Sequence, residues 1–187
     1  NVGKKYPVAT PPESDEFNAR DLGLQWQWHA NPKATWAFPH PTKGSLRLYT
    51  HQVPEEAQNL WGVSNLLLQK FPAEEFTATT KLSFYPNENL KEEKIGLLVM
   101  GEDYAYVSVV SKDDGLYLAF VTVDDAHKGT PEKEQIITKL KGNEVQLRVE
   151  VKKDAKCQFS YSENGKKFTK VGEVFTAVPG RWIGAKV

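Results

Sequence analysis

Two carboxyl groups that face each other can share the acid and base work of hydrolysis, so the acidic pairs come first. The chain carries Glu92-Glu93, Asp113-Asp114 and Asp124-Asp125, each in a turn-like segment where neighbouring acids are ordinarily solvated loop tips. Sandwich enzymes that cut β-glucans set Glu, Asp and Glu along one strand face as E-x-D-x-x-E, and the sequence has no such run. His29, His40, His51 and His127 show no H-x-x-x-H or related ligand spacing, which argues against a transition-metal site. There is no G-x-S-x-G nucleophile elbow and no glycine-rich phosphate loop. The lone Cys157 alternates in step with Phe159 and Tyr161 and reads as a core thiol. The chain therefore offers no active site of its own, and no cofactor is expected.

Aromatics are the more informative class. The five tryptophans, Trp26, Trp28, Trp36, Trp61 and Trp182, are many for this length, and pyranose faces stack on such rings. Trp26 and Trp28 alternate with Gln25 and Gln27, so one buried strand face would account for both. Trp28 and Trp36 are candidate carbohydrate contacts. Trp61 lies between the charged segment from Pro54 to Asn59 and Gly62, outside any period-two pattern and with no evident internal partner for its ring, so it belongs to a connection outside the core pattern. Sandwich modules also pin terminal strands with hard cations held by carboxylates and carbonyls. Asp15 and Glu16, at the entry to the first strand, are the candidate ligands for such a structural calcium.

These residues sit on a chain of 187 residues, long enough to bury roughly 70% of its unfolded surface without staples. Lys plus Arg and Asp plus Glu both number 24, which leaves no basic excess for nucleic acid. No apolar run approaches the roughly 20 residues of a membrane span, and the opening stretch has no signal-peptide pattern; neither membrane nor nucleic acid is an expected partner, and a soluble chain is. Residues 1–14, with Pro7, Pro11 and Pro12, read as an extended linker, and residues 15–187 as one domain.

From Phe17 onward short apolar-polar alternations are broken by Gly, Asn, Asp and Pro, about a dozen strands in all. Val145, Leu147, Val149 and Val151 alternate with Glu144, Gln146, Arg148 and Glu150, and Phe76, Ala78, Thr80, Leu82 and Phe84 form a second inward set. Residues 95–100 and 116–123 are apolar almost throughout, as expected of central strands covered on both sides. Asn164-Gly165 and Asp114-Gly115 are expected to supply positive-φ residues for tight hairpins. A helix of barely two turns is expected from Pro54 to Leu60. The fold class is all-β: a two-sheet antiparallel sandwich or jelly roll.

The string Ser14-Asp15-Glu16-Phe17-Asn18, then Leu22-Gly23-Leu24-Gln25-Trp26-Gln27-Trp28 and Asn31-Pro32, resembles the opening of the β-sandwich domain that follows the catalytic propeller in family 43 xylosidases and arabinofuranosidases. The likeness continues in order through Gly44-Ser45-Leu46-Arg47-Leu48, Asn59-Leu60-Trp61, Asn65-Leu66-Leu67-Leu68-Gln69-Lys70, Phe76-Thr77-Ala78-Thr79-Thr80-Lys81-Leu82, Tyr104-Ala105-Tyr106 and Phe159-Ser160-Tyr161-Ser162, and ends at Gly180-Arg181-Trp182-Ile183-Gly184-Ala185-Lys186-Val187. It implies a concanavalin A-like sandwich whose partner is an N-terminal catalytic β-propeller of the same polypeptide, lying before Asn1, with a final strand shorter than in relatives. The family's catalytic carboxylates belong to the propeller, so none is implied in this chain. What the resemblance does imply is a non-catalytic accessory role, an aromatic from the loop before Leu66 reaching the propeller's pocket, which makes Trp61 the candidate substrate-pocket residue, sugars derived from xylan or arabinan as ligands, and a periplasmic or secreted parent. An autonomous carbohydrate-binding module for xylan or arabinoxylan is the alternative.

Overall fold

The computed structural model describes Gly3, Pro7 and residues 12–187, so the linker expected over residues 1–14 falls largely outside the described residues. Twelve strands follow in order among them: β1 (Gln27–Trp28), β2 (Ala37–His40), β3 (Ser45–Leu48), β4 (Leu67–Leu68), β5 (Phe76–Ser83), β6 (Lys94–Met100), β7 (Tyr104–Lys112), β8 (Gly115–Val123), β9 (Lys133–Lys139), β10 (Glu144–Lys152), β11 (Lys156–Ser162) and β12 (Thr169–Thr176). One antiparallel sheet runs β12-β11-β10-β5 and the other β6-β7-β8-β9. They stack with β10 near β6, β11 near β7 and β12 near β8, the two-sheet sandwich expected from the alternation.

Period two does the sorting. Val145, Leu147, Val149 and Val151 of β10 are buried and join Cys157 and Phe159 of β11, Val107 and Val109 of β7 and Leu118 and Phe120 of β8 in one core between the sheets. The register sets Val149 against Phe159 on one side and Ala78 on the other, so one strand's apolar row is locked to its neighbours'. Cys157 is wholly buried there, its Sγ–H donating to the Ala155 carbonyl at 3.3 Å, and burial pushes the thiol up to about 11. At neutral pH it stays protonated and inert.

The expectation that residues 95–100 form a central strand needs correction. β6 is the last of its sheet's four strands; its apolar run is buried for another reason. A second core lies on the opposite face of that sheet, where Leu98, Met100, Tyr104, Tyr106, Val121, Val123 and Ala126 are covered by Leu60, Trp61, Leu66 and Leu68 from the loop region before β5. The free edge of β6 is covered near Met100, which exchanges backbone hydrogen bonds with Lys186 at 2.9 Å in each direction. β7, apolar on both faces between the two cores, is the strand buried at nearly every position.

Turn chemistry also differs in detail. Asn164 is not in the left-handed region; only Gly165 is, at φ 70°. Asn164 instead turns the chain with its side chain, Oδ1 accepting the N–H groups of Lys166 and Lys167 at 2.9 and 3.1 Å. Between β7 and β8 the turn is Asp113-Asp114, and Gly115, at φ 138°, already pairs with Lys112. The expected helix from Pro54 to Leu60 is absent. The Ala57 N–H closes one turn onto the Pro54 carbonyl at 2.9 Å, and the helical piece of this segment is a single 3-10 turn, Leu60–Gly62, because Asn59 is extended and its side chain takes the Trp61 N–H. So short a stretch cannot repay helix nucleation against that competitor.

Candidate functional site

One end of the sandwich gathers the connections that leave the core. The β6–β7 turn, the β8–β9 connection and the segment after β12 are tied there by Glu102, whose N–H donates to the Pro179 carbonyl at 3.1 Å and whose carbonyl accepts the Ala126 N–H at 2.8 Å. Its carboxylate pairs with Arg181 at 3.5 Å. Gly101 permits the approach, since a Cβ at this position would lie 1.8 Å from the Val178 carbonyl oxygen.

The loop bearing Trp61 is fastened onto this end by a polar chain. Asn59, itself buried, donates through Nδ2 to the carbonyls of Ala126 and Thr130 at 2.9 and 2.8 Å, while its Oδ1 accepts the Trp61 N–H at 2.9 Å. The Leu60 N–H donates to the Tyr104 hydroxyl at 2.9 Å, which in turn donates to Glu132 Oε1 at 2.8 Å. Tyr106 donates to the other oxygen, Oε2, at 2.9 Å. Burial pushes both phenols well above the ordinary tyrosine range, and the Glu132 carboxylate adds to the rise, so both remain donors at any working pH. His29 Nε2–H donates to the Trp61 carbonyl at 3.2 Å; burial lowers its pKa, which favours a neutral ring.

Trp61 therefore does have internal partners. Its half-buried ring meets His29 and His127 edge-on at 6.1 and 6.0 Å and packs on the second core. Trp28 and Trp36 come together elsewhere, their rings 5.2 Å apart. Trp36 is buried, and Trp28 lines a depression of about 230 Å³ with Leu22, Pro32, Lys33, Ala37 and Pro39. Trp182 is 93% exposed, the tryptophan that stands in solvent. The sequence named it only among the five; nothing in its local pattern distinguishes it from a packed ring.

Asp15 is occupied by N–H donors. Oδ1 accepts from Phe17 N at 2.7 Å, and Oδ2 from Trp26 Nε1 at 2.8 Å and Gln25 Nε2 at 3.4 Å. Trp26 thus anchors the entry segment, with its ring 5.7 Å from that of Phe17. Glu16 is exposed, and no group of three His, Cys, Asp or Glu side chains close enough to share a metal occurs among the described residues. A hard cation needs converging oxygens, whereas Asp15 faces hydrogens. Asp15→Ala should lower stability by about 1–3 kcal/mol through unpaired donors, and a chelator should leave the wild-type melting curve in place. A chelator-induced fall in melting temperature would mark a cation at this entry instead.

The acidic pairs serve the surface. Asp114 accepts from Lys139 at 2.7 Å and Tyr117 at 2.8 Å, Asp113 pairs with Lys91 at 3.0 Å, Asp124 with Lys133 at 3.1 Å and Asp125 with Lys128 at 3.0 Å. The Lys139 ammonium, then the Tyr117 hydroxyl, hold the Asp114 carboxyl below the usual range, the opposite of what a general acid requires. A hollow of about 600 Å³ at the other end of the sandwich is lined by Lys141, Glu144, Tyr161, Asn164 and Lys167 among others. Its polar groups are engaged in turns: Glu163 takes the Lys141 N–H at 2.7 Å and Asn164 the Ser162 hydroxyl at 3.1 Å.

Residues 14–187 match the family described as the beta xylosidase C-terminal concanavalin A-like domain. A beta-xylosidase of Formosa agariphila is 24% identical over 201 residues, covering 97% of this chain and 32% of that protein. Among solved structures, a xylan beta-1,4-xylosidase from Bacillus halodurans superposes with a TM-score of 0.75 at 19% identity, over 100% of this chain and 37% of the other. A GH43 glycoside hydrolase engineered to display both endo-xylanase and exo-arabinofuranosidase activity gives 0.78 at 17% identity, over 100% of this chain and 39% of its own. The chain thus spans about a third of the length of these relatives. Matched across nearly its whole length and folded as that match requires, the chain belongs to the family of β-xylosidase C-terminal concanavalin A-like domains.

Proposed function

We propose that this chain is the non-catalytic accessory domain of a family 43 glycoside hydrolase acting on xylose- or arabinose-containing polysaccharide, where it braces an N-terminal catalytic propeller of the same polypeptide and helps complete its substrate pocket. The carrying observation is the match of residues 14–187 to a C-terminal domain in a chain whose Asp113-Asp114 and Asp124-Asp125 pairs are committed to surface ion pairs. For a polymeric substrate the place of action is periplasmic or extracellular. The purified chain should give no turnover of aryl xylosides or arabinofuranosides above a buffer blank. Turnover abolished by a single carboxylate substitution would make the chain an enzyme and end this reading.

The loop end carrying Trp61 and Trp182 is the part offered to the pocket. In the polypeptide that carries both domains, Trp61→Ala should impair turnover or raise KM. Because its ring is half-buried, the same substitution should cost this chain about 2 kcal/mol, less than a fully buried tryptophan. Trp182, in solvent, separates the two effects: Trp182→Ala should leave this chain's melting temperature unchanged. If neither substitution alters the kinetics of the two-domain polypeptide, the pocket role falls and the bracing role stands alone. The depression beside Trp28 favours the second reading, an autonomous binding module; retardation of the chain by soluble xylan in affinity electrophoresis, lost in Trp28→Ala, would establish it.

A further inference from the structure

The hairpin of β2 and β3 forms a two-stranded sheet of its own, and such a hairpin is marginal in water unless something covers it. Its root is covered. Trp36 is buried against Trp28 and His51, and the Tyr49 N–H donates to the Trp36 carbonyl at 3.0 Å. Beyond the root the apolar residues emerge: Phe38 is 52% exposed, Leu48 41%, Tyr49 45% and Val53 52%. Phe38 stands opposite Arg47 in the register, and its ring meets that of Tyr49 edge-on, with centroids 5.8 Å apart and planes at 88°.

Three features decide what chemistry fits. Aromatics with arginine are the side chains enriched at the desolvated centres of protein interfaces. Rings at right angles, with Arg47 beside them on the same face of the hairpin, make an apolar corner, whereas a pyranose stacks on an open ring face. From residue 36 to residue 54 there is no Asp or Glu, and the Glu93 carboxylate that reaches this segment is engaged by the Thr50 hydroxyl and the Asn87 N–H, while Lys43 and Arg47 are both exposed, so the complementary surface has an acidic rim.

We infer that the β2–β3 hairpin, through the face that carries Phe38, Arg47 and Tyr49, is the surface on which the N-terminal catalytic domain of the same polypeptide seats. This rests on the accessory-domain reading and adds to it the face used and the chemistry of the partner: an apolar centre rimmed by carboxylates. The relatives' remaining two thirds, roughly, supply the occupant.

Hydrogen exchange tests it without any substitution, by comparing this chain with the longer polypeptide that carries both domains. Amides of residues 37–49 should exchange at least tenfold more slowly in the longer polypeptide, and equal rates overturn the inference. In the longer polypeptide, Phe38→Ser with Tyr49→Ser should split one coupled melting transition into two and speed proteolytic release of the sandwich. A single unchanged transition counts against it. Two other occupants are read out at the same time: a dimer of this chain dissolved by the double substitution, or xylan retardation abolished by it, would assign the patch to self-association or to sugar and overturn the proposal. Hydrolysis of an aryl xyloside by the longer polypeptide separates the failures. If it hydrolyses and the exchange rates are equal, only the docking surface is wrong; if it does not, the accessory-domain reading fails and takes the inference with it.

Discussion

Val149→Asp is expected to leave little folded protein at neutral pH. Val149 is fully buried on β10, between Phe159 on β11 and Ala78 on β5, with its side chain in the inter-sheet core. A carboxylate there would lose its hydration with no donor placed to replace it, at a cost of several kcal/mol, against a total stability of about 5–15 kcal/mol for a domain. At about 2–4 °C per kcal/mol for a chain of this size, the melting temperature should fall by more than about 10 °C. The sign with pH follows from burial raising the folded-state pKa of the new acid. The deficit is smallest below the unfolded pKa of about 4, where Asp is neutral in both states, and grows as pH rises through the interval up to the folded pKa. The next residue is the control: Glu150 points to the other face, so Glu150→Gln should change stability by no more than about 0.5 kcal/mol. Equal melting temperatures for Val149→Asp and wild type would mean the faces of β10 are reversed.

That prediction could be made from the sequence, and the reason is physical. β10 is covered on one face only, so water writes an alternating pattern into it. β7 is covered on both, by the main core and by the loop region before β5, and Tyr104, Ala105, Tyr106, Val107, Ser108 and Val109 leave no polar beat to read. β6 looked central because its outer face is buried by residues far away in the chain, a relation that no local window contains. The same limit hid the surroundings of Trp61. Its neighbours His29 and His127 are distant in sequence, and the loop's apparent helix signal lost to Asn59, whose side chain serves two remote carbonyls. Fold class was legible because burial periodicity is local; the polar architecture of the loop end was not, because each hydrogen bond there joins separate elements.

The double cover also explains why the loop end is a fixed surface. A long loop ordinarily samples many conformations. This one lays Leu60, Trp61 and Leu66 on an apolar bed and satisfies its backbone through Asn59 and Tyr104, so its ordering cost is met within the domain before any partner arrives.

Glu132 is where that ordering should be most vulnerable. Its two carboxylate oxygens are the acceptors for the hydroxyls of Tyr104 and Tyr106, which are 0% and 5% exposed. Neither phenol has another acceptor among the described residues; the further bond at Tyr104 is one it accepts, from the Leu60 N–H. Glu132→Ala therefore strands two buried donors at about 1–3 kcal/mol each, so a loss of about 2–5 kcal/mol is expected. Glu132→Gln should cost less. Tyr104 must donate, since its oxygen already serves Leu60, and the amide oxygen can accept it; the amide N–H₂ can then donate to the Tyr106 oxygen, so that only the Tyr106 O–H loses its acceptor. The ranking Ala below Gln, with Gln between Ala and wild type, is the signature of a hydrogen-bonding role, whereas a purely electrostatic role would make the two neutral variants alike. Exchange of the Leu60 and Trp61 amides should quicken in Glu132→Ala under conditions where the β10 amides stay protected, because the loop loosens before the sandwich does. If Glu132→Ala melts within about 0.5 kcal/mol of wild type, the bridge contributes nothing and the loop is held by Asn59 and apolar contact alone.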